Sequence, residues 1–277
     1  MLFTAETNKH KLISNIFEPI SNILEIGTLN INNDGISLLG MDTSHVSLLK
    51  LNLNRNEFSN FRNSNNNVNI GINFTDFVKI LKTGCDSEKL VIDLENDEEL
   101  NITFIDSGLN RKFTLKLLDT EKNNLNIPIT DYQLDIDISP KLFNNILNSF
   151  LITETDALSF ITKNNKLYIK SDSLNSKLEV CFNELQGTIK TKKIKINSKN
   201  ETRIDESFDI SYKLNKCNGE FESAFGTTLL KKISKANSLV SSIKFNLSPD
   251  IPIKIDYQLT EFSVLNFYLS PKFLDEC

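Results

Sequence analysis

Residues 35–53, GISLLGMDTSHVSLLKLNL, place a short polar stretch between two segments in which apolar residues alternate with others. Such period-two alternation is typical of half-buried β-strands. Asp42, Ser44 and His45 lie together in the polar stretch, and the chain has 2 histidines in all. The stretch is therefore either a bend between two strands or a compact catalytic group.

Geometry favours the bend. In a Ser-His-Asp relay the Asp and the Ser approach the imidazole ring from opposite sides. Side chains alternate between faces along an extended chain, so Asp42 and Ser44 would point the same way. No G-x-S-x-G, Walker or H-E-x-x-H motif occurs elsewhere. A hydrolase built around His45 remains an alternative, and we expect no enzyme.

Length and composition predict a globular protein of two domains. The chain has 277 residues, of which 39% are apolar, and domains usually have about 100 to 150 residues. Its 4 cysteines form no C-x-x-C pair, which argues against zinc and disulfide scaffolds and suits a reducing compartment. We expect no leader, no membrane span, no metal and no cofactor.

The chain reads as antiparallel sheet interrupted by four helical windows. Strand-like alternation recurs from Leu29 to Phe104, with Asn, Asp and Gly between the runs. Apolar residues at helical spacing predict helices over Lys9–Ile23, Phe74–Lys82, Lys141–Leu151 and Thr228–Ala236. Pro19 should kink or shorten the first helix.

An internal repeat indicates one fold used twice. HKLISNIFEPI (residues 10–20) and PKLFNNILNSF (residues 140–150) match at a shift of about 130 residues. Between the halves, DTEKNNLNIPITDY (residues 119–132) is polar and Asn-rich and reads as a connector. We therefore expect an N-terminal domain over 1–118, a connector over 119–134 and a C-terminal domain over 135–277. Apolar connector residues such as Ile127 suggest that something docks there.

Charge is unevenly distributed. The whole chain has 31 basic and 36 acidic residues, for a net charge of −5, yet lysines outnumber acidic residues in the helical windows. These lysines either attract phosphates without base readout or only solvate helix faces, and the sequence leaves both open. They are Lys9, Lys11, Lys79, Lys82, Lys141, Lys231, Lys232 and Lys235.

Four stretches resemble the eukaryotic DNA sliding clamps, the proliferating cell nuclear antigen (PCNA) family. They are residues 35–53, FTDFVKILKTG (74–84), LLDTEKNNLNIPITDY (117–132) and the C-terminal SPDIPIKIDYQL with LNFYLSPKF. The resemblance implies an α+β fold with two similar clamp domains per chain, antiparallel sheets outside and four short helices inside. It further implies a homotrimeric ring around duplex DNA and a DNA polymerase processivity factor that serves replication and repair in the nucleus. The eight helix lysines would then be the DNA-binding residues.

The same resemblance implies a partner-peptide groove that includes His45 as a wall residue. Its peptides are of the Q-x-x-aliphatic-x-x-aromatic-aromatic type and come from the replicative DNA polymerase, flap endonuclease, DNA ligase and clamp loader. The implied groove residues are Met41, His45, Val46, Leu48, Leu125, Ile127, Pro128, Pro252, Tyr268, Ser270 and Pro271. The peptide is expected to extend along Leu269–Phe273 by strand addition.

Three further expectations follow from the resemblance. Subunits would join through residues 112–117 of one chain and 176–182 of the next. Lys163 matches the ubiquitin-accepting lysine of the family, although Asn164 and Asn165 replace the usual Asp-Gly. The insertion over 187–200 carries five lysines. It either contacts DNA or forms a solubilising loop, and we expect the loop.

A heterotrimeric checkpoint clamp is the alternative within the family. The intact groove and connector favour the homotrimer.

Overall fold

The chain folds into two units, and a segment near the C-terminus belongs to the first unit again. Unit 1 is residues 1–128 with 258–267, and unit 2 is residues 129–257 with the segment from Tyr268 onward. The computed structural model describes residues 1–64, 67–120, 125–152, 155–164, 166–173, 176–182, 186–196, 202–214 and 220–272. Over 186–196 and 202–214 it describes the backbone.

Unit 1 alternates strands with two helices. In chain order these elements are β1 (Phe3–Thr7), α1 (His10–Ser21), β2 (Ile26–Asn32), β3 (Gly35–Met41), β4 (Ser47–Asn54), β5 (Asn60–Asn63), β6 (Asn67–Asn73), α2 (Phe74–Leu81), β7 (Lys89–Leu94), β8 (Glu99–Ile105) and β9 (Asn110–Lys116). The described strands pair antiparallel in the orders β5-β1-β7-β8-β9 and β4-β3-β2-β6.

Unit 2 repeats this plan. Its elements are β10 (Leu134–Ile138), α3 (Pro140–Leu151), β11 (Ala157–Lys163), β12 (Lys166–Asp172), β13 (Lys177–Phe182), β14 (Gln186–Ile196), β15 (Thr202–Leu214), β16 (Phe221–Gly226), α4 (Thr227–Ile233) with a 3-10 turn (Ser234–Leu239), β17 (Ile243–Leu247) and β18 (Ile253–Gln258). The described strands pair as β13-β12-β11-β16 and β14-β15-β10-β17-β18. A last strand, β19 (Val264–Leu269), follows.

The pairing confirms the predicted duplication. Strand β1 lies between β5 and β7, and β10 lies between β15 and β17. Likewise β2 lies between β3 and β6, and β11 lies between β12 and β16. Each unit also carries a pair of packed helices, α1 with α2 and α3 with α4. The predicted α+β class with two similar domains is therefore confirmed.

The helices form where apolar residues recur at helical spacing. In α1 the buried side chains include Ile13, Ile16, Phe17 and Ile20, which follow the i, i+3, i+4, i+7 pattern. The Phe17 ring stacks edge-on against Phe77 of α2 with 5.0 Å between centroids. Helix α1 ends at Ser21, two residues after the internal proline and short of the predicted Ile23.

The start of α3 has a side-chain cap and a proline in its first turn. The Ser139 hydroxyl accepts from the Leu142 amide at 3.4 Å. Pro140 occupies the first turn, where its missing N–H costs no helical hydrogen bond.

The expectation of a loop over 187–200 is wrong for the part that the structure describes. Residues 187–196 lie in β14, which pairs antiparallel with β15 and shifts register between Lys193 and Ile194. The alternation in Ile194-Lys195-Ile196 and the β-branched threonines favour a strand. The prediction of a loop gave more weight to the five lysines than to this alternation. Residues 197–200 lie outside the described residues.

Among the described residues, no helix has the length and apolarity needed to cross a bilayer.

Candidate functional site

The polar stretch at residues 42–46 is the turn between β3 and β4, as predicted. The Asp42 carboxylate accepts hydrogen bonds from the Val46 amide at 2.9 Å and the Ser47 amide at 2.7 Å. The Asp42 carbonyl accepts from the His45 amide at 3.0 Å. His45 sits at φ 59°, in the left-handed region that tight turns use. The carboxylate thus organises the turn that displays His45 to solvent.

This arrangement differs from a catalytic relay. The Ser44 hydroxyl donates to the Asp42 carboxylate, so these two side chains bond to each other rather than to opposite sides of the imidazole ring. Partial burial would raise the Asp42 pKa, but the hydrogen bonds from Ser44, Ser47 and Val46 outweigh it and hold the pKa below its usual value. Asp42 is therefore an ionised turn-capping group at neutral pH.

Beside the turn, the predicted groove residues of β3 and β4 share one face of the sheet. Met41 pairs directly with Leu48, and both side chains are half-buried. The next residues along each strand, such as Gly40 and Leu49, are buried on the opposite face. Val46 is half-buried and His45 is exposed. The structure therefore brings Met41 and Leu48 together as an apolar patch next to the turn.

The start of the connector is fastened to unit 1. The Leu118 amide donates to the Gly71 carbonyl at 2.9 Å, and the Thr28 and Thr120 hydroxyls are 2.5 Å apart. Residues 121–124 lie outside the described residues.

Beyond them, Leu125 and Ile127 are half-buried, and Pro128 and Ile129 are exposed. The described residues from 125 to 132 lie in no helix or strand.

The remaining predicted groove residues lie in unit 2. The exposed Pro252 offers its carbonyl to the Tyr132 hydroxyl at 3.4 Å. Burial, followed by the neighbouring Tyr268 and Asp256, raises the pKa of Tyr132 to about 12. Burial and Asp256 also raise the pKa of Tyr268. Pro252 therefore contacts Tyr132, which the sequence prediction missed although it ends the quoted connector motif.

Part of the C-terminal segment already forms a hydrogen bond to β16. Ser270 and Pro271 are half-buried, and the Lys272 amide donates to the Ala224 carbonyl of β16 at 2.7 Å. That amide is unavailable for pairing with a peptide. Phe273 lies outside the described residues.

In unit 1, the predicted DNA-binding lysines are ion-paired. Lys79 lies 2.9 Å from Asp76, and Lys82 lies 2.7 Å from Glu18, which joins α2 to α1. Lys11 lies 2.5 Å from Asp86, and Lys9 lies 3.6 Å from Glu57. All four lysines are exposed, but each has a carboxylate beside it.

In unit 2, the helices present lysines without acidic residues. Helices α3 and α4 and the 3-10 turn contain no Asp or Glu. The exposed Lys231, Lys232 and Lys235 lie three to four positions apart or adjacent, on one side of α4 and its turn, and pair with no carboxylate among the described residues. Lys141 is exposed on α3. The predicted DNA-binding lysines that pair with no carboxylate in the described part of the chain therefore lie in unit 2.

Strands β9 and β13 are among the strands that lie at a sheet edge in the described part of the chain. Strand β9 ends the order β5-β1-β7-β8-β9 in unit 1, and β13 ends the order β13-β12-β11-β16 in unit 2. They contain the predicted subunit contacts at 112–116 and 177–182. Such edges offer backbone N–H and C=O groups to another chain.

Lys163 ends β11 and is exposed, and Asn164 after it sits at φ 50°. No cluster of three or more His, Cys, Asp or Glu side chains suited to a metal occurs among the described residues.

Models of two domain families match nearly the whole chain. The PCNA N-terminal domain matches residues 2–124, and the PCNA C-terminal domain matches residues 126–272. Similar proteins include the PCNA of Chaetomium thermophilum, with 25% identity over 99% of this chain and 100% of that protein. The DNA polymerase sliding clamp of Thermococcus fumicolans is 24% identical over 96% of both chains.

A solved structure has the same fold. The crystal structure of PCNA from Entamoeba histolytica matches with a TM-score of 0.81 and 22% identity, and the match covers 98% of this chain and 99% of that one.

Proposed function

Because the chain belongs to the proliferating cell nuclear antigen family and is a DNA polymerase sliding clamp, we propose that three identical copies close into a ring around duplex DNA. A ring of this kind holds a polymerase on its template without fixing its position along the sequence. In our proposal, unit 1 and unit 2 correspond to clamp domains at 1–118 and 135–277, and residues 119–134 connect them.

The observation that carries the ring is the pair of open edges on β9 and β13. Strand β9 of one copy would pair with β13 of the next, and each copy has one edge of each kind. Such head-to-tail contacts form a closed ring only if the rotations between successive copies add up to a full turn, and otherwise they form an open polymer. In a trimer, three rotations complete the turn. The solution mass tests it: we expect three times 31.5 kDa. A monomer, dimer or open polymer would refute the trimer.

DNA contact, in this proposal, is made by the helix lysines and has no sequence preference. Lysines attract phosphates by charge, whereas base readout favours the bidentate geometry of arginine. Phosphate contacts alone leave the register free, which is what sliding requires. Lys231, Lys232 and Lys235, which pair with no carboxylate in the described part of the chain, would carry most of this attraction. The predicted DNA-binding lysines of unit 1 already lie beside carboxylates.

Partner proteins would bind through the peptide groove whose residues the sequence resemblance implies. The half-buried Met41 and Leu48 pair, the apolar connector residues and the Tyr268 region support this assignment. An aliphatic and aromatic plug would cover these apolar surfaces, and a Q-x-x-aliphatic-x-x-aromatic-aromatic peptide supplies one. We propose the replicative polymerase, flap endonuclease, DNA ligase and clamp loader as the proteins that carry it.

The chain itself would perform no catalysis and act in the nucleus. The use of the Asp42 carboxylate to cap its own turn supports a non-catalytic role for the stretch that contains His45. Hydrolysis of esters, phosphates or nucleic acid by the pure protein that is abolished in His45→Ala would refute this. The exposed Lys163 is our candidate ubiquitin acceptor.

A further inference from the structure

An open cavity of about 270 Å³ lies in unit 1, on the face of the sheet β4-β3-β2-β6 that carries Leu39 and Lys50. Its lining includes Leu39, Lys50, Ser37, Asn52, Asn30 and Asn69. Pockets for drug-sized ligands or cofactors usually measure about 300 to 1,000 Å³. The cavity therefore suits a single side chain better than a cofactor.

The register places this cavity beside the apolar patch of the proposed groove. Leu39 pairs with Lys50, and two residues further along the same two strands Met41 pairs with Leu48. Residues two apart on a strand point to the same face, separated by roughly 6.5 Å. A peptide seated on Met41 and Leu48 can therefore reach Lys50 with a residue near its apolar plug.

The chemistry of the lining favours an anion. Lys50 is half-buried and pairs with no carboxylate among the described residues, and no acidic side chain is among the described residues that line the cavity. The Asn30 amide donates to the Asn69 side-chain oxygen at 2.7 Å, which leaves the Asn69 amide N–H groups as donors. A lysine beside the Asn69 amide donors matches a negatively charged acceptor.

One lysine matches one negative charge. A phosphate carries nearly two charges at neutral pH and is best held by arginine forks or several cations, which this cavity lacks among its described residues. A carboxylate carries one charge and accepts from an ammonium and neighbouring amides at once.

We propose that this cavity, the Lys50 pocket, receives an aspartate or glutamate side chain that flanks the apolar plug of a partner peptide. The proposal rests on the partner groove described above and adds a specificity element to it. Partners that carry an acidic flank would bind more tightly than partners with a neutral flank, and salt would weaken the advantage.

Calorimetry with matched peptides tests the Lys50 pocket. One core peptide of the Q-x-x-aliphatic-x-x-aromatic-aromatic type is made with Glu-Glu at its N-terminal flank, with Glu-Glu at its C-terminal flank, or with Gln-Gln at either place. At one of the two flanks, we expect the peptide with Glu-Glu to bind the wild-type trimer about three- to tenfold more tightly than the peptide with Gln-Gln at the same place. In Lys50→Gln this advantage should disappear, while the Gln-flanked peptides bind as before.

Lys166→Gln is the control, because Lys166 is also half-buried and pairs with no carboxylate among the described residues, but lies in unit 2. It should keep the full preference for Glu.

Equal affinities for Glu and Gln forms in the wild type, or the same preference in Lys50→Gln, would overturn the Lys50 pocket and leave the groove standing. Tighter binding of a phosphoserine flank than a Glu flank, lost in Lys50→Gln, would replace carboxylate by phosphate as the occupant. Failure of every peptide to bind the wild type would overturn the groove and the pocket together.

Discussion

The two units should contribute unequally to DNA binding. We compare two triple variants, Lys231→Gln/Lys232→Gln/Lys235→Gln in unit 2 and Lys11→Gln/Lys79→Gln/Lys82→Gln in unit 1. Both remove three positive charges, so any difference between them reports phosphate contact rather than net charge. The unit 1 lysines lie 2.5–2.9 Å from carboxylates, far less than the screening length of about 10 Å at 0.1 M salt. At that range each pair acts almost as a neutral group.

The magnitude follows from counterion release. On B-DNA, each phosphate that a protein neutralises contributes about 0.9 to the slope of log K against log salt. If Lys231, Lys232 and Lys235 each contact one phosphate, the unit 2 variant should lower the slope by about 2.7 for each subunit that touches DNA. A lysine must leave its carboxylate to bind a phosphate, so the unit 1 variant should lower the slope by less than about 1.

Fluorescence anisotropy of a labelled duplex, titrated with trimer at several salt concentrations, measures both slopes. The solution mass of each variant serves as the control for assembly. Equal falls in slope, or a larger fall in the unit 1 variant, would refute the argument that ion pairing weakens the unit 1 helices.

Three smaller predictions concern the groove. Gly71→Ala places a Cβ 2.2 Å from the Leu118 carbonyl, so the start of the connector must shift and peptide affinity should fall, while Gly108→Ala, which meets nothing within 4 Å, should bind as wild type does. Ile127→Ala should weaken the peptide roughly tenfold or more, since burying an aliphatic side chain is worth about 1.5–3 kcal/mol; equal calorimetric affinity would count against Ile127 as groove wall. The Asp42 pKa is lowered in the folded chain, so its stabilisation is present above pH ~4 and lost as pH falls through the lowered value. In urea titrations at pH 6, the unfolding free energy of the wild type should exceed that of Asp42→Asn by about 1 kcal/mol, the worth of a typical hydrogen bond. This advantage should disappear as the pH falls through the lowered Asp42 pKa, and a gap that stays constant with pH would contradict the assignment.

Local patterns predicted the elements well. The spacing of Ile13, Ile16, Phe17 and Ile20 predicted α1, and the alternation around residues 42–46 predicted a hairpin turn. These signals are local, because periodicity reports which face of an element is buried. The duplication was also visible, because the helix sequences of the two halves match directly.

Long-range partners were not predictable. Lys11 pairs with Asp86 across 75 positions of sequence, and Asp86 lies outside the helical windows, so window charges overstated the free positive charge of unit 1. The Lys50 pocket also depends on register between strands, which alternation alone does not fix.

The most direct test of the encircling ring compares two experiments on a linear duplex. In one the DNA ends are blocked before the protein is added, and in the other they are blocked afterwards. The duplex carries biotin at both ends, and streptavidin blocks the ends either after or before the protein is added; a high-salt wash then removes protein held by charge alone. A closed ring threads only over a free end, so we predict retention when protein precedes streptavidin and loss when it follows. Equal retention in both orders would contradict the sliding-clamp account.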